Sequence, residues 1–99
     1  MIRIVWEFRV RAGREREFER RYSSTGDWAR LFAKSDAYQG STLTRDAEDR
    51  RRYLVADLWR DAASFAAFKE SHAAEYAALD KDCEALTEAE VRLGIFEDL

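Results

Sequence analysis

The sequence predicts an α+β fold of the ferredoxin-like type, with the element order βαββαβ and helices on one face of a four-stranded antiparallel sheet. Residues 2–10 alternate between apolar and more polar side chains, which is typical of a strand with one strongly apolar face. Residues 52–59 carry apolar side chains on both faces, and Asp61 then offers a cap for a following helix. The other segments switch between helical and strand periodicity in the order that this fold requires.

The segment after the first strand predicts a helix in two pieces. Gly13 ends the strand, and Phe18 and Tyr22 lie four residues apart as the apolar stripe of a highly charged surface helix. Residues 23–26 interrupt this helix. Asp27 then restarts it, and the buried side of the second piece carries three apolar residues, Trp28, Leu31 and Phe32.

The middle of the chain predicts a hairpin followed by a helix. A weaker strand spans about residues 38–45, and the charged segment 46–51 turns it into the strand formed by residues 52–59. In the helix that follows, Phe65 and Phe68 are three residues apart, so both are expected to face the sheet.

The last third of the chain predicts a longer helix and a closing strand. Ser71 is a candidate cap, and residues at helical spacing then form one stripe, namely His72, Tyr76, Leu79, Cys83 and Leu86. Residues 87–96 alternate as a strand, which completes the four strands of the sheet.

Composition limits the organisation and the class of protein. The 99 residues suffice for one domain, residues 1–99, and a net charge of −3 gives no general attraction to nucleic acid or an anionic membrane. Cys83 is the single cysteine and cannot form an internal disulfide, and no Cys/His spacing fits a structural metal. No apolar run approaches transmembrane length and no leader segment is recognisable, so we expect a cytoplasmic protein.

The face of the sheet away from the helices is predicted to be too apolar to lie in water. The simplest cover for it is a second copy of the chain, which gives a homodimer joined sheet to sheet. The residues expected on this face are Val5, Trp6 or Phe8, Tyr53 or Leu54, and Phe96.

Three segments carry a family resemblance. The opening IRIVWEFRVRAGRE, the segment RRYLVADLWRDAASFAAF with Asp57 two residues before Trp59, and the closing strand resemble the antibiotic biosynthesis monooxygenase family of dimeric α/β barrels. The resemblance spans nearly the whole chain. It implies a cofactor-independent monooxygenase acting on a phenolic, quinol or polyketide-like aromatic molecule, although such a fold carries several functions.

Two branches of this family have catalytic sets that this chain lacks in part. The haem-degrading branch uses an Asn, a Trp and a His, and the matching positions here hold Trp6, Phe68 and Ala78. The polyketide-oxygenating branch uses an Asn, a Trp, a Tyr and an Arg. This chain has no Asn, while Trp59, Tyr76 and Arg92 supply the other three residue types.

The chemistry that the resemblance implies needs an aromatic pocket with a base or polar donor. An oxygenase without flavin or metal relies on its substrate, deprotonated to a phenolate or enolate, to reduce O2. The candidate catalytic residues are His72, Tyr76 and Asp57. The candidate substrate-binding residues are Trp28, Phe32, Trp59, Phe65 and Phe68.

Each candidate also has a purely structural interpretation. The aromatic residues fit a packed core, His72 fits a locally hydrogen-bonded residue at a helix start, and Asp57 fits an ion pair with Arg45 or Arg92. The alternative function is therefore a non-catalytic dimeric barrel that binds a hydrophobic small molecule.

Overall fold

The computed structural model describes residues 1–99 and contains one antiparallel sheet with its helices on one face. The elements are β1 Ile2–Val10, α1 Glu15–Tyr22, α2 Asp27–Phe32, β2 Tyr38–Arg45, β3 Arg52–Trp59, α3 Ala62–Ser71, α4 Ala73–Cys83 and β4 Thr87–Glu97. A short 3₁₀ turn, Glu84–Leu86, precedes the last strand. The strand order is β2-β3-β1-β4, which confirms the predicted ferredoxin-like topology.

The register of the strands decides which side chains meet the helices. Ile4 lies opposite Asp57, and Phe8 lies opposite Tyr53. Because side chains alternate along a strand, the even positions of β1 and the odd positions of β3 share one face. Those positions are mostly buried under the helices, as Trp59 illustrates with no exposed surface. The core is thus a layer between this face and the four helices.

The opposite face of the sheet has no cover within the chain. Its register places Val5, Leu54, Leu58 and Phe96 together on that side, and Phe96 is 53% exposed. These positions include three of those expected from the sequence. Where the sequence left a choice, the register puts Trp6, Phe8 and Tyr53 on the helix-covered face instead.

The helical segments differ from the prediction at two boundaries. Ser71 was expected to cap a new helix, but it is the last residue of α3, and His72 stands at the junction between α3 and α4. Asp27 is the first residue of α2 rather than its cap, and its carboxylate accepts from Arg21 and Arg30. By contrast, Asp61 caps α3 as predicted by accepting from the backbone of Ser64.

None of these helices has the length and apolar composition that a bilayer crossing requires.

Candidate active site

A cavity of about 240 Å3 lies between the helices and the centre of the sheet. Its wall takes at least one residue from every strand and from every α-helix, so the whole fold positions it. Half of its lining residues are aromatic, and four others carry a carboxylate or an ammonium group. The lining residues are Trp6, Phe8, Tyr22, Trp28, Phe32, Ser41, Val55, Asp57, Lys69, Tyr76, Asp80 and Glu90.

The aromatic wall is held by contacts between rings on different helices. Trp28 on α2 meets Tyr76 on α4 edge to face, with ring centroids 5.0 Å apart. Phe32, one turn further along α2, lies 5.6 Å from Trp28. Such tilted and edge-on pairs are the favoured geometry for aromatic rings. The wall is therefore a packed surface, and it is suited to contact a flat apolar ligand.

Asp57 is the polar group set among these rings. Its Oδ1 accepts a hydrogen bond of 2.6 Å from the Ser41 hydroxyl, and the Tyr38 hydroxyl lies 2.5 Å from Ser41 Oγ. Burial disfavours the charged carboxylate and raises the pKa of Asp57 from 3.8 to about 6, although the Ser41 hydrogen bond acts in the opposite direction. Asp57 is thus a weak base whose proton exchange falls near neutral pH.

The predicted ion pair of Asp57 is wrong. Arg45 pairs with Glu19 on the surface, and Arg92 makes no ion pair with Asp57. Ser41 satisfies Asp57 instead, because the register of β2 and β3 sets these two residues directly opposite each other. Ser41 is neutral and does not compensate the negative charge of the carboxylate. The effect of burial therefore dominates, and the pKa of Asp57 is raised.

Three other ionisable groups shape the field in the cavity. The Lys69 ammonium lies 4.9 Å from the centroid of the Tyr76 ring, in a cation–π arrangement. Burial raises the pKa of Tyr76 to about 12, with a further contribution from the charge of Asp80. The pKa of Glu90 is also raised, first by burial and then by repulsion from Asp80 and Glu84. The cavity thus carries more acidic than basic groups.

The structure brings four of the eight predicted site residues to this cavity, namely Asp57, Tyr76, Trp28 and Phe32. The other four, Trp59, Phe65, Phe68 and His72, form a solid aromatic cluster beside it. Trp59 lies 5.2 Å from Phe65 and 5.4 Å from Phe68, centroid to centroid. The ring of His72 stacks on Phe68 at 4.6 Å and faces a separate surface depression.

Sequence reasoning missed the polar residues of the site. Ser41, Lys69, Asp80 and Glu90 line the cavity but carry no motif. Ser41 could have been identified only from its pairing with Asp57 across β2 and β3, and the sequence does not show the register of these strands. Lys69 lies four residues after Phe65 on α3, so its ammonium lies over the aromatic rings that its stem passes.

No three His, Cys, Asp or Glu side chains lie close enough together to hold a metal ion.

The fold and the cavity define an α+β protein with a cavity between its helices and its sheet, half of whose lining residues are aromatic. A family model described as antibiotic biosynthesis monooxygenase matches residues 1–78. The chain therefore belongs to the antibiotic biosynthesis monooxygenase family.

Solved structures share the fold over nearly the whole chain. SnoaB, a cofactor-independent oxygenase from Streptomyces nogalater, is 22% identical with a TM-score of 0.79, covering 99% of this chain and 92% of SnoaB. A proposed antibiotic biosynthesis monooxygenase from Bordetella bronchiseptica is 20% identical with a TM-score of 0.79, at 99% and 96% coverage. MhuD, solved with two manganese protoporphyrin IX molecules per active site, is 22% identical with a TM-score of 0.75, at 100% and 95% coverage. No curated protein matches the sequence.

Proposed function

We propose that this protein is a cofactor-independent monooxygenase that oxidises a phenolic, quinol or polyketide-like aromatic molecule in the cavity under its helices. The observation that carries the proposal is the Asp57 carboxylate, which faces an aromatic cavity and has a pKa raised to about 6. A base of this strength is suited to remove a hydroxyl proton near neutral pH. Family membership supports the oxygenase class, and SnoaB is named as an oxygenase without cofactor.

The proposed reaction needs no electron donor besides the substrate. Asp57 takes the proton of an aromatic hydroxyl, and the resulting anion gives one electron to O2. The two radicals combine into a carbon–oxygen bond, and the resulting peroxide anion takes up one proton in place of the one lost to Asp57. Loss of water from the hydroperoxide then leaves a carbonyl group. In the keto form of such a substrate, as in an anthrone, the reacting carbon is a CH2 group. One CH2 group and one O2 are thus converted into one carbonyl group and one water molecule. The aromatic wall holds the ring beside Asp57 and limits the access of water.

Tyr76 is proposed to donate a hydrogen bond to the substrate oxygen. Its raised pKa keeps the hydroxyl protonated throughout the neutral range, so it is a donor and not a base. Lys69, over the same ring, adds a positive charge that favours the phenolate. Together these groups stabilise the anion that O2 must oxidise.

Another observation favours the alternative of a non-catalytic barrel that binds a hydrophobic small molecule. The residue types of the polyketide-oxygenating set do not come together: Trp59 lies in the solid cluster, Tyr76 lines the cavity, and Arg92 is exposed on β4. The two functions share the cavity but differ in whether Asp57 performs chemistry.

Oxygen uptake with a panel of anthrones, hydroquinones and naphthols separates the two functions. We expect turnover in the native protein, a loss of about 10²–10⁴-fold in kcat for Asp57→Asn, and a smaller loss for Tyr76→Phe. Calorimetry with the same compounds measures binding in each variant. Binding without oxygen uptake in the native protein would favour the alternative, and full turnover by Asp57→Asn would reject Asp57 as the base.

We also propose that the uncovered face of the sheet pairs with the same face of a second copy. The exposed side chains there include Val91 and Phe96, which are 52% and 53% exposed. Large exposed apolar side chains on an uncovered sheet face are typical of an interaction surface. Light scattering at micromolar concentration should give the mass of a dimer, whereas Phe96→Glu should give a monomer. A native monomer would reject this proposal.

A further inference from the structure

A chain of two hydroxyl groups leads from Asp57 to the half-buried Tyr38 on the edge strand of the sheet. Ser41 Oγ donates to Asp57 Oδ1 at 2.6 Å, and Tyr38 Oη lies 2.5 Å from Ser41 Oγ. Ser41 lines the cavity with Asp57, whereas Tyr38 does not line it and is partly exposed. The chain therefore starts at the proposed reaction centre and ends near solvent on the edge strand β2.

A bulge in β2 builds this chain. Tyr38 pairs with Trp59 and Ser41 pairs with Asp57, although Tyr38 and Ser41 are three residues apart. In a regular strand, residues three apart point to opposite faces. The register shift between Tyr38 and Gly40 inserts one extra residue and turns both hydroxyls to the same face. Gly40 adopts a φ of 130°, which favours glycine, so the sequence supports this bulge at that point.

The direction of the hydrogen bonds follows from the acceptor at the end. A carboxylate only accepts, so Ser41 commits its single proton to Asp57 when Asp57 is ionised. Tyr38 must then donate to Ser41. Oδ2 of Asp57 has no hydrogen-bond partner within the chain, so one oxygen is fixed by Ser41 and the other is free for a substrate hydroxyl.

We propose that Ser41 and Tyr38 are positioning residues that orient Asp57 and carry its proton between the cavity and solvent. This inference rests on the proposed function of Asp57 as a base. It explains how Asp57 is returned to the carboxylate form while a bound aromatic molecule blocks the cavity. The protein would thus exchange protons through its sheet edge and exchange substrate through the cavity mouth.

The proton transfers balance at every atom. The substrate O–H bond breaks and an O–H bond forms at Asp57 Oδ2. A half-turn of the carboxyl group presents this proton to Ser41 Oγ, while both hydroxyls rotate so that Ser41 donates to Tyr38 and Tyr38 donates to water. Ser41 then gains the proton of Asp57 and passes its own to Tyr38, and Tyr38 releases one to water. Each hydroxyl gains one proton and loses one. The protons received lie between Ser41 and Asp57 and between Tyr38 and Ser41, so the original direction of the hydrogen bonds is restored.

Other titratable groups around the cavity bear on any pH measurement of Asp57. They lie on α1, α3, α4 and β4, whereas the lining residues of β1, β2 and α2 carry no titratable group. Their charges are the same in the variants used here, so they cancel in a comparison. They are Tyr22 on α1, Lys69 on α3, Tyr76 and Asp80 on α4, and Glu90 on β4.

The first experiment reads Asp57 directly and needs no turnover. The carboxyl carbon of Asp57 is titrated by NMR in the native protein, in Ser41→Ala and in Ser41→Thr. Loss of a hydrogen bond to the charged form should move the midpoint of Ser41→Ala upward by about one pH unit. Ser41→Thr keeps a hydroxyl and should restore the native midpoint. An unchanged midpoint in folded Ser41→Ala would overturn the inference.

The second experiment follows the pH dependence of kcat and KM for the substrate found by oxygen uptake. Tyr38→Phe keeps the ring but removes the hydroxyl, and we expect kcat to fall about tenfold with KM unchanged. Tyr53→Phe is the matched control, since its hydroxyl donates to Glu19 away from the cavity. Equal kcat in native protein and Tyr38→Phe would overturn the relay.

The two arms also separate this inference from the proposed function. If no aromatic compound is oxidised, the proposed function fails, and the NMR arm alone decides whether Ser41 holds Asp57. If Asp57→Asn abolishes turnover but Tyr38→Phe does not alter it, Asp57 is the base and the relay is wrong.

Discussion

Two aromatic regions lie side by side under the helices, and they differ in what fills the space between the rings. Around Trp59, four aromatic rings pack against the indole, which has no exposed surface. Around Asp57, two positions earlier on the same strand face, the rings stand apart and leave a cavity of about 240 Å3. Both regions contain several aromatic residues, but only the cavity also contains charged groups. Strand β3 therefore contributes Trp59 to the packed core and, two residues earlier, Asp57 to the cavity.

The difference arises from a short polar residue at a core position. A bulky apolar side chain at Asp57 would extend toward Trp28 and Tyr76 and fill the gap. The carboxylate instead needs a hydrogen-bond donor, which Ser41 supplies from the neighbouring strand. An unfilled volume and an unpaired charge are both costly, so their occurrence at one place indicates function rather than packing.

Truncating one Trp in each region gives the largest expected contrast. Trp59→Ala should lower the free energy of unfolding by about 3–5 kcal/mol, because it opens a void in a packed cluster. Trp6→Ala should lower the free energy of unfolding by less than about half of that amount, because the Trp6 indole is half-buried and already borders the cavity. Urea unfolding measures both. Equal losses would mean that the two regions are packed alike.

Removing the Asp57 charge should change how stability depends on pH. The pKa of Asp57 rises from 3.8 to about 6 in the folded protein, so between these pH values the folded state binds more protons than the unfolded state. Asp57 therefore destabilises the protein as pH rises through this window, by at most about 3 kcal/mol. Asp57→Asn should show a flatter profile in urea titrations from pH 4 to pH 7. A slope equal to that of the native protein would contradict the raised pKa.

Straining the bulge tests Tyr38, whose ring belongs to the solid region and whose hydroxyl is linked to Asp57 through Ser41. The Tyr38 ring packs 5.4 Å from Trp59, while its hydroxyl reaches Ser41. Gly40→Ala meets no clash, but a φ of 130° should cost about 1–2 kcal/mol and lower turnover. Gly13→Ala, at a φ of 86° in the turn after β1, should lose stability without losing turnover. Equal turnover loss in both variants would show that strain alone is responsible.

The smallest effect is expected at His72, which belongs to the solid region. Its ring stacks on Phe68 and borders no part of the cavity, so His72→Ala should cost about 1 kcal/mol of stability. We expect oxygen uptake to stay within about twofold of native, because the proposed base is Asp57 in the cavity. A large fall in turnover with stability preserved would mean that His72 takes part in the reaction. The solid aromatic cluster would then belong to the active site as well.

The periodicity of the sequence was sufficient for the fold. Strand alternation in residues 2–10 and 52–59 and the aromatic pair at Phe65 and Phe68 identified the sheet and its helix-covered face. The boundary at Ser71 was missed because α4 is rich in alanine, and its faces differ little in hydropathy. His72 and Tyr76 consequently looked like one stripe, although they face different depressions.

The site was less accessible to sequence reasoning because it depends on register. Asp57 stood out as a carboxylate among apolar neighbours, but its partner is set by a bulge 17 residues earlier in the chain, between Tyr38 and Gly40. A single extra residue in a strand inverts every side chain beyond it. No local pattern distinguishes that bulge from an ordinary strand start. Because charge was the only guide in the sequence, the hydrogen-bond donor to Asp57 was expected to be an arginine, whereas it is Ser41.

The placement of the three tryptophans makes the protein its own optical probe. Trp6 and Trp28 border the cavity, whereas Trp59 is sealed in the solid cluster. The fluorescence intensity and emission wavelength of Trp6 and Trp28 will change when an aromatic ligand displaces water from the cavity. The fluorescence of Trp59 will stay constant and serve as an internal standard. Occupancy of the cavity is thus measurable without a label, even for a molecule that is never converted.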